Sequence, residues 1–179
     1  MMDPPREEAI DAIRASQQAG ITVKMITGDH ALTAAAIGRE IGLCQDGCAN
    51  VLTGAELSQL SDADLIEQAQ NMNVFARVAP EQKLRLVEAL QASGQIVAMT
   101  GDGVNDSPSI KRANIGVAMG ITGTDVSQGA SDMVLTDDNY ASIVSAIEQG
   151  RIIFSNIRKF VYYLISCNLG EIVILFVSM

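Results

Sequence analysis

Short apolar segments alternate with helix-like segments along most of the chain, and this alternation limits the possible folds more than any other feature. Helical spacing and start or stop residues predict helices at 4–20, 31–41, 62–70 and 80–92. Almost wholly apolar runs predict strands at 21–26, 74–76, 95–99, 115–118 and 133–135. Strands without polar alternation suit a sheet that is covered on both faces. The expected fold class is therefore α/β, a doubly wound parallel sheet.

The charge of the chain is divided between two parts. The 179 residues carry a net charge of −9. Residues 1–150 have 20 acidic and 9 basic side chains, whereas residues 151–179 have three basic side chains and one acidic. The acidic first part argues against nucleic-acid binding, which needs clustered Lys and Arg. It does not argue against nucleotides, because a metal and a few placed donors can hold their phosphates.

The second part reads as the beginning of a membrane helix. Residues 160–179 are apolar apart from one charged residue, Glu171, and about 20 such residues span a bilayer. Arg151, Arg158 and Lys159 precede this run, as expected for a cytoplasmic entry point. We expect a fragment of a longer protein, with residues 1–150 as a cytoplasmic domain and residues 151–179 as a stalk that enters the membrane.

Unusual residues follow two of the predicted strands, where open α/β sheets bind their ligands. Thr27, Gly28 and Asp29 follow the first strand and offer a hydroxyl and an accessible N–H to an anion. Gly101-Asp102-Gly103, with Asn105 and Asp106 beyond it, follows the strand at 95–99 and offers the hard oxygen ligands that suit Mg²⁺. Lys83, in the first turns of the helix at 80–92, can direct a positive charge into the same crevice.

Each of these features also has a simpler interpretation. Gly-Asp after a strand is often only a turn or a helix cap, and a single lysine is usually a solvated surface residue. The glycines do not form a dinucleotide-binding fingerprint, and no phosphate-loop motif occurs in the sequence. Phosphate chemistry gains support because all three elements would converge at one edge of the sheet.

The string MTGDGVNDSPSIKRANIGVAMG at 99–120 resembles the signature of cation-pumping P-type ATPases. DPPREE at 3–8, MITGD at 25–29, FARVAP at 75–80 and SDMVLTDDN at 131–139 are similar to further motifs of that family, in the same order. The resemblance implies the doubly wound haloacid dehalogenase fold, ATP and Mg²⁺ as cofactors, and an aspartyl-phosphate intermediate.

The resemblance also implies roles for individual residues. Asp102 would coordinate Mg²⁺, and Asp106 and Asn105 would complete and orient that site. Thr27 and Gly28 would bind the transferred phosphoryl group while Lys83 neutralises its charge, and Asp29 and Arg77 would face the nucleotide.

The family's phosphorylated aspartate lies in a DKTGT motif that these 179 residues do not contain. We therefore expect the isolated chain to be unable to form the phosphoenzyme.

Two polar residues in the apolar run point to an ion path. Asn168 and Glu171 are three residues apart and share one helix face, and a carboxylate at membrane depth marks an ion or proton path by default. The simpler interpretation is a polar helix contact or a protonated glutamate. The segment SCNLGE at 166–171 is similar to the fifth transmembrane helix of calcium-type pumps, whose matching Asn and Glu bind Ca²⁺.

Several functions remain open at this point. The favoured one is a piece of a multi-pass ATP-driven pump for Ca²⁺, working with the lipid bilayer, a transported cation and further domains of the same polypeptide. The alternatives are a pump for Na⁺/K⁺, H⁺ or Mg²⁺, a soluble phosphatase of the haloacid dehalogenase type, and a non-catalytic membrane-associated scaffold.

Overall fold

Six parallel strands form two three-stranded sheets in the computed structural model, which describes residues 7–44 and 51–179. The strands are β1 (Met25–Ile26), β2 (Val51–Thr53), β3 (Val74–Ala76), β4 (Ala98–Gly101), β5 (Ile115–Met119) and β6 (Met133–Leu135). One sheet has the order β1-β3-β2 and the other the order β4-β5-β6, and all four pairings are parallel. The expected parallel α/β architecture is confirmed, and its strands form two sheets of three strands each.

Eight helices and one 3-10 turn connect and follow the strands of the described residues. The helices are α1 (Glu7–Gln18), α2 (Ala31–Glu40), α3 (Gly54–Leu57), α4 (Asp62–Asn71), α5 (Pro80–Ala92), α6 (Ser107–Arg112), α7 (Asp125–Ala130) and α8 (Tyr140–Val177), and the 3-10 turn is Val104–Asp106. The four predicted helices are present. The predicted beginning of the first one, at residues 4–6, lies outside the described residues.

Local side-chain bonds explain why several helices begin where they do. Thr53 and Glu56 form a reciprocal capping box at the start of α3. Ser61 caps α4 and Thr124 caps α7, each by accepting a bond from the N–H three residues later. α5 begins at Pro80, which lacks only an N–H that the first turn could not have used.

The centre of the first sheet is buried on both faces, as its apolar sequence predicts. Phe75 packs into one hydrophobic cluster with Leu57, Leu65 and Leu86, whereas its neighbours in β3 face a second cluster formed mainly with α1 and α2. All three residues of β3 are no more than 1% exposed. Helices therefore cover both faces of this sheet.

Two predicted strands differ by two or more residues from the observed ones. β1 is only two residues long, although 21–26 was predicted as a strand. β4 begins at Ala98, because the side chain of Asn114 accepts the bond from Val97 N at 2.9 Å in place of a neighbouring strand. β4 then continues to Gly101, beyond the predicted end.

The structure separates into two compact units, Met1–Ser142 and Ile143–Met179. The second unit contains α8 from Ile143 onwards; this helix continues through Gly150 without a break and is 38 residues long in all. α8 is long and apolar enough to cross a membrane, and its most apolar stretch is not buried in the protein.

A buried hydroxyl without a hydrogen-bond partner gives a test of this packing. Ser109 in α6 is fully buried, and among the described residues its Oγ has no partner. A buried polar group without a bond destabilises the folded state, so Ser109→Ala should raise the free energy of unfolding by about 1 kcal/mol. Urea unfolding of the whole chain in detergent would measure this change in the free energy of unfolding.

Ser16 is the matched control for Ser109. It is equally buried, but its Oγ donates to Ala12 O at 3.0 Å and lies 3.3 Å from Tyr140 Oη. Ser16→Ala should therefore lower the free energy of unfolding. Equal losses for both variants would contradict the assignment of Ser109 as unpartnered.

Candidate active site at the strand ends

The loops after β1 and β3 are joined by backbone hydrogen bonds. Val78 N donates to Thr27 O at 3.2 Å, and Arg77 N donates to Asp29 O at 3.0 Å. Thr27 Oγ1 accepts a bond from Asp29 N at 3.1 Å, which closes the turn around Gly28. The structure thus brings together the four residues that were predicted to face the phosphoryl group and the nucleotide.

Arg77 is held in an uncommon backbone conformation at this junction. Its φ is +51°, in the left-handed region that non-glycine residues seldom adopt, and its side chain is exposed. A Cβ on Gly54 would lie 2.2 Å from Arg77 O, so only glycine fits beside this turn. The turn directs the chain from β3 into α5.

A buried ion pair connects α5 with the loop after β4. Lys83 Nζ donates to Asp106 Oδ1 at 2.6 Å, and the two side chains are 18% and 10% exposed. Breaking such a pair leaves one buried charge without compensation, at a cost of several kcal/mol. Of the predicted site residues, the structure therefore places Lys83 and Asp106 in direct contact.

A small hydrophobic cluster connects the strands and helices that carry the candidate site. It is formed by Val87 of α5, Met99 of β4 and Ile110 of α6, and Ile26 of β1 packs against it. These residues belong to the elements that carry Thr27, Lys83, Asp102 and Asp106. The apolar packing therefore brings the ends of β1 and β4 towards the same region.

Gly101 makes room for the Asp106 carboxylate. A Cβ on Gly101 would lie 2.5 Å from Asp106 Cβ and 2.9 Å from its Cγ and Oδ2. Real Cβ atoms do not approach other atoms so closely, so Asp106 can occupy its position only above a glycine. Gly103 has no such constraint, because the nearest atoms to a Cβ there are 3.8 Å away.

The backbone of Asp102 is held by α7, while its side chain is exposed. Asp102 O accepts a bond from Thr124 N at 2.9 Å, and Ser127 Oγ lies 3.0 Å from the same oxygen. Ser127 is fully buried. Asp102 also lines an open pocket of about 360 Å³, together with Gly101, Met119, Ile121, Thr122, Asp137 and Asp138.

Asp138, in the loop after β6, was not predicted as a site residue. Its carboxylate accepts bonds from three consecutive backbone N–H groups, those of residues 120–122, and from Thr122 Oγ1, at 2.7 to 3.0 Å. Desolvation raises the pKa of Asp138, but these bonds outweigh it and lower that pKa to about 2. The sequence signal that could have identified Asp138 is the pair of aspartates, Asp137 and Asp138, in the loop after a strand of a parallel sheet.

The donor atoms at the end of β4 suit a hard cation but do not complete its site. Asp102, Asn105 and Asp106 supply only oxygen ligands from side chains, the type that Mg²⁺ prefers. Within 7–44 and 51–179 there is no group of three or more His, Cys, Asp or Glu arranged to hold a metal. Two carboxylates and an amide are therefore compatible with part of a Mg²⁺ site and do not by themselves complete one.

The two polar residues of the membrane segment lie in the second unit. Asn168 and Glu171 are both exposed on α8, three residues apart and so on one side of the helix. Cys167, also exposed, directly precedes Asn168.

Comparison with known proteins agrees with this arrangement. A model of haloacid dehalogenase-like hydrolases matches residues 1–114. The chain belongs to this family. It is also homologous over 99% of its length to P-type cation-transporting ATPases: it is 55% identical to calcium-transporting ATPase 1 of Bacillus cereus and 53% identical to cation-transporting ATPase pma1 of Synechocystis.

This haloacid dehalogenase-like chain spans about a fifth of the length of those two relatives, 20% in each case. Among solved structures, it is similar to a zinc-transporting PIB-type ATPase, with a TM-score of 0.66 and 32% identity. That similarity covers 88% of this chain and 21% of the other. The fold and the order of the motifs are thus those of one region of P-type ATPases.

The contact between Gly101 and Asp106 gives a steric test of the site. Gly101→Ala should displace the Asp106 carboxylate and leave the Lys83 ammonium without its buried partner. We expect a loss of about 2 to 4 kcal/mol in the free energy of unfolding, measured by urea titration. Gly103→Ala is the matched control and should change that free energy by less than about 0.5 kcal/mol. Equal effects of the two variants would contradict the geometry.

Proposed function

We propose that this chain is part of the phosphorylation domain of a P-type cation pump, followed by the beginning of a transmembrane helix. In this proposal, residues 1–150 form the cytoplasmic catalytic part and residues 151–179 the stalk and membrane entry. The observation that carries it is the buried Lys83–Asp106 pair, whose aspartate lies in the same loop after β4 as Asp102. A cation and two carboxylates are the groups that phosphoryl transfer uses.

Each residue has a defined part in the proposed reaction. Asp102 and Asp106, with Asn105, hold Mg²⁺, which neutralises the charge of the phosphoryl oxygens when it is bound. Lys83 is ion-paired with Asp106 and adds a second positive charge to the proposed phosphoryl site. The hydroxyl of Thr27 and the exposed backbone of Gly28 bind phosphoryl oxygens from the other side of the crevice.

Asp29 and Arg77 are proposed to face the nucleotide. Both are exposed, and the bond between Arg77 N and Asp29 O fixes their backbones relative to each other. An exposed guanidinium can pair with the phosphates of ATP in a bidentate manner. The proposed cofactors are therefore ATP and Mg²⁺.

The proposed pump takes its nucleophile and the rest of its metal site from other parts of the polypeptide. The 179 residues contain no DKTGT motif, and the two carboxylates at the end of β4 would need further ligands to complete a metal site. The helix α8, which is long and apolar enough to cross a membrane, favours the pump over a soluble phosphatase. The partners implied are these further segments, the bilayer and the transported cation.

The role of Asp102 can be tested in the full-length protein that contains this segment. Asp102→Asn removes the exposed carboxylate while keeping its size. The amount of phosphoenzyme formed from labelled ATP at about 1 mM Mg²⁺ should fall by about a hundredfold. Asp11→Asn is the control, since Asp11 belongs to an exposed pair with Arg14 and such pairs contribute little. Normal phosphoenzyme in the Asp102 variant would refute this role.

Calcium is the transported cation that the membrane segment supports best. Asn168 and Glu171 offer amide and carboxylate oxygens, which Ca²⁺ prefers. Zinc would favour thiolate or imidazole ligands, and α8 carries one cysteine and no histidine. The relative from Bacillus cereus is named as a calcium transporter. These observations support Ca²⁺, with ligands from other membrane helices completing the site.

Glu171 gives the test of the transported ion. In the full-length protein, Glu171→Gln removes one ligand charge and should raise the Ca²⁺ concentration for half-maximal ATPase activity on the order of tenfold. Glu148→Gln, on the same helix near its beginning, is the matched control and should have no effect. An unchanged Ca²⁺ requirement, or activation by Zn²⁺ or Na⁺ instead, would contradict calcium transport through this residue.

A further inference from the structure

The loop at residues 119–124, which we call the clamp loop, is bonded from two sides. On one side, the Asp138 carboxylate accepts bonds from the N–H groups of residues 120–122. On the other side, Gln128 Nε2 lies 3.1 to 3.3 Å from the carbonyl oxygens of Met119, Gly120 and Gly123. Three backbone N–H groups of the clamp loop are therefore bonded by Asp138 from the loop after β6, and three of its carbonyl oxygens lie within hydrogen-bond distance of Gln128 from α7.

The clamp loop leads directly to Asp102. It ends at Thr124, whose N–H donates to Asp102 O at 2.9 Å and whose Oγ1 caps α7. Ser127, one turn into α7, places its hydroxyl 3.0 Å from the same carbonyl oxygen. Asp102 and Asp138 also line the same open pocket. Hydrogen bonds from the Asp138 carboxylate to residues 120–122, the backbone of residues 122–124 and the bond from Thr124 N to Asp102 O thus connect Asp138 with the backbone of the proposed Mg²⁺ ligand.

Two further features show that this arrangement is constrained. Asp138 adopts φ +49°, a strained conformation for a non-glycine residue. A Cβ on Gly120 would lie 2.5 Å from Leu135 O, so the clamp loop approaches the end of β6 as closely as its backbone allows. Strain that the surrounding structure maintains in this way is typical of sites where geometry matters for function.

We propose that Asp138 is a positioning residue for phosphoryl transfer: it fixes the clamp loop, and through Thr124 and Ser127 the clamp loop fixes Asp102. This proposal rests on the proposed role of Asp102 as a Mg²⁺ ligand. Residues that orient a ligand from outside a metal site typically change metal affinity by 10- to 100-fold when they are replaced.

The adjacent aspartate provides a matched control. Asp137 is exposed, whereas Asp138 is half-buried, and it carries the same charge; its carboxylate accepts bonds from Asn139 N and Ser142 Oγ and, among the described residues, none from the clamp loop. Asp137→Asn therefore makes the same change in charge at nearly the same place. A purely electrostatic effect on Mg²⁺ would appear equally in Asp137→Asn and Asp138→Asn.

The test compares Mg²⁺ titrations of phosphoenzyme formation in the full-length protein. Asp138→Ala should raise the half-saturating Mg²⁺ concentration by about tenfold, whereas Asp137→Asn should leave it unchanged. Asp138→Asn should give an intermediate value, because its amide oxygen still accepts bonds from the clamp loop. Saturating Mg²⁺ should restore the phosphoenzyme level of all three variants, which loss of folding would not permit.

Thr122→Val provides a second route if Asp138→Ala does not fold. It removes only the Oγ1 donor to Asp138 and should produce a smaller shift in the same direction. The proposal is overturned if the half-saturating Mg²⁺ concentration stays within twofold of the unmodified protein in the folded Asp138 and Thr122 variants. If Asp102→Asn itself leaves phosphorylation intact, the proposed function fails first and this inference fails with it.

Discussion

The buried contact between Lys83 and Asp106 is the interaction on which the rest of the site depends. It joins α5, which follows β3 of the first sheet, to the loop after β4 of the second sheet, at a donor–acceptor distance of 2.6 Å. Two charges that are mostly removed from water are stable only as a pair. The pair therefore constrains how α5 can lie against the end of β4, and Gly101 is the residue that allows it.

This constraint also explains why the site is divided between elements that are distant in sequence. The Lys83–Asp106 pair links the second sheet to α5, and α5 begins directly after the turn that binds the Thr27–Asp29 loop. Ile26 supports the same junction, because it packs against the cluster of Val87, Met99 and Ile110. The proposed anion-binding backbone and the proposed metal-binding carboxylates therefore lie on elements that share this packing, although no one loop contains both.

Much of this arrangement could be predicted from the sequence, because strong local signals agree with the fold. The apolar residues of β3 and the proline at the start of α5 each have one dominant structural interpretation. The short elements were missed for a physical reason: β2 and α3 depend on the capping box of Thr53 and on contacts made by Gln82, whose amide reaches Gly54 O. Such contacts join residues 28 positions apart and leave no periodic pattern.

The proposed role of Asp138 could not be predicted from its neighbours in the sequence. An aspartate in a polar run after a strand is usually a turn residue, and the number of residues between Asp102 and Asp138 does not indicate that they are close in the fold. Only the pairing of β5 with β6 places it opposite the N–H groups of residues 120–122. A parallel sheet gathers the ends of its strands at one edge, so residues that support a ligand occur in the neighbouring loops. Polar residues after every strand of such a sheet therefore belong among the candidates.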